Sequence, residues 1–121
     1  WVHIGANAAA RDGREVPGGL TPLPSADPQR FLAFSKPLLG TARASFAGSP
    51  GFEVPHDVEA GTGGELGDIA GAGYRSVVGV FGAHRFHHTE ADDLSCTSAE
   101  LSIDLAERML HLIRSALSSA D

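Results

Sequence analysis

Apolar positions along this chain gather into a few short blocks, set between stretches rich in glycine, proline and acidic residues. The most apolar block is Arg75-Ser76-Val77-Val78-Gly79-Val80-Phe81. Its near-continuous apolar character predicts a strand buried on both faces, as in a sheet covered by helices. Residues 1–4 are apolar and partly β-branched, and Gly5 stops them, which predicts the end of a second buried strand. Toward the carboxyl end, Ile103, Ala106, Leu110, Ile113 and Leu117 form a stripe at helical spacing, widened by Leu101, Leu105, Met109 and Leu112. That pattern predicts a helix over residues 98–117 packed on a sheet. Thr97-Ser98-Ala99-Glu100 has capping-box spacing at its start. Asp104 and Arg108, four apart, are expected on its solvent side, where they can pair.

The middle of the chain is more punctuated. Residues 6–11 offer a weak helix start. Residues 12–25 hold three glycines and three prolines and predict a polar loop, longer than most connections. Asp27-Pro28 has the chemistry of a helix start, with Phe31, Phe34 and Leu38 sharing a face. Pro37 should bend or end that helix near Lys36, with residues 38–46 continuing it. A turn at 48–51, a short strand at 52–54 stopped by Pro55, an acidic Gly-rich loop at 56–64 and one helical turn at 65–71 follow. The order of strands and helices indicates an α/β fold, specifically a three-layer sandwich with a mixed, mostly parallel sheet.

Composition narrows the function classes. A chain of 121 residues suits a single domain with a modest core, or the carboxyl-terminal portion of a larger one. Nine Lys+Arg against fifteen Asp+Glu give a net charge of −6, which argues against a nucleic-acid surface. No basic amphipathic stripe, membrane-length apolar run or leading signal segment is present in the sequence, so a soluble protein is expected, with its compartment open. Cys96 is the single cysteine, which excludes an intrachain disulfide. The chain opens on Trp1 without an initiator methionine, which suggests a processed product or a domain excerpt.

The densest chemistry lies in Phe86-His87-His88-Thr89-Glu90-Ala91-Asp92-Asp93-Leu94, directly after the most apolar block. A loop leaving a buried strand can aim one imidazole at a metal ion while a nearby carboxylate holds the ring. Adjacent side chains diverge, so at most one of His87 and His88 should serve a given ion. His84 extends the pattern to His-x-x-His-His, but Gly82 and the preceding strand argue against a helix, so the three imidazoles have no evident reason to converge. Without an ion, the same segment reads as a polar, pH-sensitive loop capping the sheet. His3 alone reads as a half-buried strand histidine, and His56, Asp57 and Glu59 as part of a solvated acidic loop. The glycines between 61 and 67 lack the Lys-Ser/Thr of a phosphate loop. Cys96 has no basic neighbour to lower its pKa, which argues against a nucleophile.

The His88-Thr89-Glu90-Ala91-Asp92 segment and the amphipathic helix after it resemble the closing part of the zinc aminopeptidases with two co-catalytic zinc ions, which include bacterial leucyl-type enzymes and have glutaminyl cyclases as relatives. The resemblance implies that His88 is a zinc ligand and Asp92 a supporting carboxylate. Trp1-Val2-His3-Ile4-Gly5 resembles a strand end where the family carries a zinc-binding Asp, which places His3 as a ligand. Gly64-Glu65-Leu66-Gly67-Asp68-Ile69 with Gly73-Tyr74-Arg75-Ser76-Val77 resembles a rim segment in which Glu65 stands for the family's Asp and Leu66 replaces its His. The family's His-x-Asp and paired Glu-Glu segments are absent from this chain, and with them the general base. The implied fold is the carboxyl-terminal portion of a zinc-exopeptidase-like sandwich. The implied function is metal-dependent removal of residues from the amino end of a peptide substrate, with this chain supplying only part of the site and inactive alone. Its implied partners are the missing amino-terminal portion or a second copy. Two other functions stay open: a catalytically degenerate binding or structural module, favoured by His3 and Leu66, and glutaminyl cyclase-like transfer.

Overall fold

The structure, a computed structural model, describes residues 1–119. In chain order the strands are β1 (Val2–Ile4), β2 (Arg11–Val16), β3 (Gly19–Ala26), β4 (Phe31–Phe34), β5 (His56–Asp57) and β6 (Val78–Phe81). The helices are α1 (Leu39–Phe46), α2 (Gly64–Gly71) and α3 (Ala99–Ser118). Four strands make one mixed sheet in the order β1-β6-β4-β5. β6 runs parallel to β1 and antiparallel to β4, and β4 runs parallel to β5. β2 and β3 form a separate antiparallel hairpin. No helix among the described residues is long and apolar enough to cross a membrane.

Strand alternation sorts the side chains into layers. Leu32, Phe34, Val78 and Val80 point to one face and meet Ala42 and Phe46 of α1 and Leu105, Met109 and Leu112 of α3. Ala33 and Val77 lie with Leu66 of α2 in a second cluster on the other face. Helices therefore cover both faces of the mixed sheet. Gly79 makes the α2 side possible: a Cβ there would lie 2.8 Å from the Cβ of His3 and 3.1 Å from Leu66. A bare backbone lets helix and sheet approach.

Several sequence expectations are corrected. Residues 31–34 are a central strand and not a helix. Asp27-Pro28 makes a turn instead, in which Asp27 Oδ1 accepts from Gln29 N at 2.6 Å. Pro37 does not end a helix but sits in the first 3₁₀ turn leading into α1. The expected loop at 12–25 is the β2–β3 hairpin, closed by Pro17-Gly18 with Gly18 at φ 88°. Its prolines are tolerated because a two-stranded ribbon leaves one edge of each strand unpaired. Residues 6–9 form turns that lead to a bridge from Ala10 to Thr97, Arg11 already belongs to β2, and residues 52–54 are not a strand. Residues 64–71 make a full short helix.

The long helix is present, but its buried line is Leu105, Met109 and Leu112, while Ile103 is 58% and Leu117 68% exposed. β1 is an edge strand, so Ala106, Leu110 and Ile113 overhang it and share a shallow apolar groove with Val2 and Ile4. Ser98, not Thr97, caps the helix, accepting from Leu101 N at 3.3 Å. Asp104 and Arg108 do not merely decorate the solvent side. Asp104 accepts from Ser49 Oγ at 2.5 Å and Arg108 Nε at 2.6 Å. Arg108 also donates to the carbonyls of Ser45 and Ala47 at the end of α1. A cation there satisfies orphan carbonyls and suits the negative end of the helix dipole.

Arg30, 1% exposed, ties three segments together. It donates to the carbonyls of Asn7 at 3.3 Å, Ala8 at 2.8 Å and Pro50 at 2.7 Å, and its guanidinium stacks 4.0 Å from the centre of the Phe52 ring. Burial pulls its pKa down to about 10, against the attraction of Asp104, Glu53 and Asp27, so it stays charged at neutral pH. Arg30→Ala should lower stability by about 3–5 kcal/mol in urea unfolding, because the buried carbonyls lose their donor. Arg30→Lys should recover less than half of that, since an ammonium neither forks nor stacks.

A second prediction concerns pH. Partial burial alone would raise the pKa of Asp104, but hydrogen bonds from Ser49 and Arg108 and the charges of Arg108 and Arg30 outweigh it and hold the carboxyl below its usual value. A depressed folded pKa gives stability that is fully present above the unfolded value of about 3.9 and is lost as pH falls through the folded one. Wild type should exceed Asp104→Asn by about 1–2 kcal/mol at neutral pH, and the gap should close in acid, read from urea midpoints across pH.

Candidate metal centre

The segment between β6 and α3 is built from successive tight turns. His87 N bonds the His84 carbonyl at 3.0 Å, Thr89 N that of Phe86 at 3.0 Å, and Asp92 N that of Thr89 at 3.1 Å. Turns of this type stack side chains three apart on one side. The rings of His84 and His87 accordingly meet edge to face at 5.4 Å. The expectation that the imidazoles do not converge is therefore corrected: no helix is needed, only consecutive turns. His88 sits at φ 60°, exposed, with its ring stacked 3.9 Å from that of His87.

Anchors outside the segment hold it. Phe86 is buried against β2, where a Cβ on Gly13 would lie 2.6 Å from its ring. Arg85 N donates to Asp27 Oδ2 at 2.9 Å, and Arg85 Nε to Asp12 Oδ1 at 3.0 Å. Arg11 Nε reaches the Thr97 carbonyl at 2.7 Å. The hairpin that the sequence presented as a loop is thus the clamp for the His/Asp segment.

His84, His87 and Asp92 each offer a donor atom, and these atoms lie within 4.8 Å of one another. The His84 side chain is only 7% exposed, and its Nε2 lies 3.8 Å from Asp92 Oδ1. Its Nδ1 is buried without a protein partner. Leaving such a group unsatisfied costs about 1–3 kcal/mol, which a bound ion can offset. Two imidazoles and one carboxylate suit zinc, and three protein donors are the usual complement of an open zinc site. The group could therefore hold a metal ion, with His84 and His87 as its imidazoles in place of the His88 that the resemblance implies. The His84-x-x-His87 spacing was the available signal. That spacing aligns two side chains in a helix, and consecutive tight turns align them equally well.

A cleft of about 650 Å³ opens beside this group, at the carboxyl ends of the parallel strands β1 and β6. Open α/β sheets bind ligands at such edges. His3, Gly5, Glu65, Phe81 and His87 are among its lining residues. His3 and Glu65 therefore share a cleft with His87, and His87 belongs to both cleft and donor group. His88 is in neither. Asp92 lies near His84. Leu66 is fully buried in the α2 layer and offers no chemistry. A second cleft of about 670 Å³, near Lys36 and Tyr74, carries no histidine; Lys36 there is paired with Glu59. Cys96 is buried, and burial, followed by its contact with Asp92, pushes its thiol pKa up, away from nucleophilic use.

Comparison with family models, with curated proteins and with solved structures finds no match. The geometry alone therefore carries the functional argument. Zinc titration should show one tight site in the wild type. His84→Ala and His87→Ala should each weaken it by at least about tenfold, while His88→Ala should keep it. Loss of zinc in His88→Ala alone would instead place the ion at the position implied by the resemblance.

Proposed function

We propose that this chain forms part of a metal-dependent hydrolytic site that acts at the amino end of peptides. The observation that carries the reading is the position of His87, shared between a three-donor group and a cleft at the carboxyl edge of parallel strands. His84, His87 and Asp92 would hold zinc, which when bound polarises a scissile carbonyl as a Lewis acid. His84 is fixed by burial and His87 by the turns around Phe86. Glu65, in the first turn of α2, gives the cleft a carboxylate able to pair with a substrate ammonium. His3 lines the same cleft. The chain supplies one side of the site, and the general base comes from residues outside it. The zinc-exopeptidase-like sandwich is part of this proposal: helices on both faces of a mixed sheet agree with it.

The natural full-length protein loaded with zinc should release the chromophore from leucyl p-nitroanilide and leave the N-acetylated substrate intact. His87→Ala should lower kcat/KM by about a hundredfold or more. Cyclisation of N-terminal glutaminyl peptides without hydrolysis would favour the cyclase-like reading. A zinc-loaded protein inert toward all these substrates would favour the degenerate binding module, to which the burial of Leu66 already points.

A further inference from the structure

Asp92 is the weak member of the donor group. It sits on an exposed turn, and its side chain is 38% exposed. A carboxylate so placed is free to swing into water unless something holds it. Among the described residues, the one hydrogen bond it accepts comes from the thiol of Cys96, with Sγ 3.6 Å from Oδ1. The same Oδ1 faces His84 Nε2. One oxygen thus sits between a buried imidazole and a buried thiol.

The thiol is placed there by the chain. Asp93 Oδ1 accepts from Ser95 N at 2.7 Å and opens a 3₁₀ turn over Leu94–Cys96. Cys96 N then bonds the Asp93 carbonyl at 3.2 Å, and the side chain points inward, fully buried. Its Sγ also contacts the Asp93 carbonyl at 3.0 Å, so the single S–H is shared between that carbonyl and Asp92. Independently of the cysteine, His84 is buried with Nε2 facing Asp92 and with its Nδ1 unpartnered, so the imidazole beside this carboxylate has unused hydrogen-bonding capacity.

We infer that Cys96 is a positioning residue of the metal centre: its thiol donates to Asp92 and holds the carboxylate beside His84, without itself coordinating the ion. The inference rests on the metal reading of the His84, His87 and Asp92 group, and deepens it. Residues that hydrogen-bond a metal ligand commonly set affinity by about 10–100-fold. Serine keeps a donor of similar size, whereas alanine removes it.

The test measures zinc affinity by competition with a chromophoric chelator. Cys96→Ser should bind within about threefold of wild type, and Cys96→Ala about tenfold more weakly or worse. Thermal unfolding of the metal-free forms checks that each variant folds. If Cys96→Ala does not, Cys96→Val fills the space without a donor and takes its place. The wild type loaded with cobalt(II) should show no sulfur-to-metal charge-transfer band. Wild-type affinity in the donor-free variant overturns the inference, and so does a sulfur–cobalt band, which would make Cys96 a ligand. A wild type that binds neither zinc nor cobalt overturns the underlying metal reading, a result separate from either of these.

Discussion

A buried guanidinium organises this fold. Arg30 lies just before β4, yet its three carbonyl partners come from the turn after β1 and from the turn after α1. Burying a cation without a carboxylate in direct contact is costly, and three oriented carbonyls and an aromatic face, with the more distant charges of Asp104, Glu53 and Asp27, offset it here. The constraint is reciprocal. The charge can be buried only if those backbone segments adopt this arrangement, and their carbonyls can be buried only if the charge is present.

From that node the constraint runs to the site. The segment held at Asn7 and Ala8 leads directly to Ala9 and Ala10, which bond Ser98 N and pair with Thr97. The hairpin that follows packs Gly13 on Phe86 and sets Asp12 against Arg85. Asp27, at the end of the hairpin, uses one oxygen to shape its own turn and the other to hold Arg85 N. A loop rich in histidine and aspartate would ordinarily be mobile. This one is fastened at Arg85, Phe86 and Thr97, which is why His84 can be buried with a ring nitrogen unpaired.

The sequence was legible where one physical rule dominated. Continuous apolar character marked β6, and helical spacing marked α3. It was misleading where two rules competed. Phe31 and Phe34 fit a helix face, but Phe31-Leu32-Ala33-Phe34 also fits a strand between two neighbours, and pairing on both sides won. Prolines at 22 and 24 spoke for a loop, yet an unpaired strand edge accommodates them. At the site, the His/Asp segment was readable as metal chemistry, whereas His3 and Glu65 entered only through the resemblance, and the cleft they share with His87 comes from the fold. Which imidazoles meet was not readable, because tight turns place residues three apart together with no periodic signature.

By itself, then, the chain determined an α/β layering, a long carboxyl-terminal helix, a polar His/Asp segment at a strand end, and a net charge of −6. Local composition and periodicity suffice for these. Only the tertiary structure decided that His84 and His87, rather than His88, join Asp92, that Arg108 closes α1, and that Cys96 reaches Asp92. Each of these depends on contacts between segments distant in sequence or on turn geometry. The energy of such contacts comes from burial and hydrogen bonding in the assembled fold, which no local pattern records.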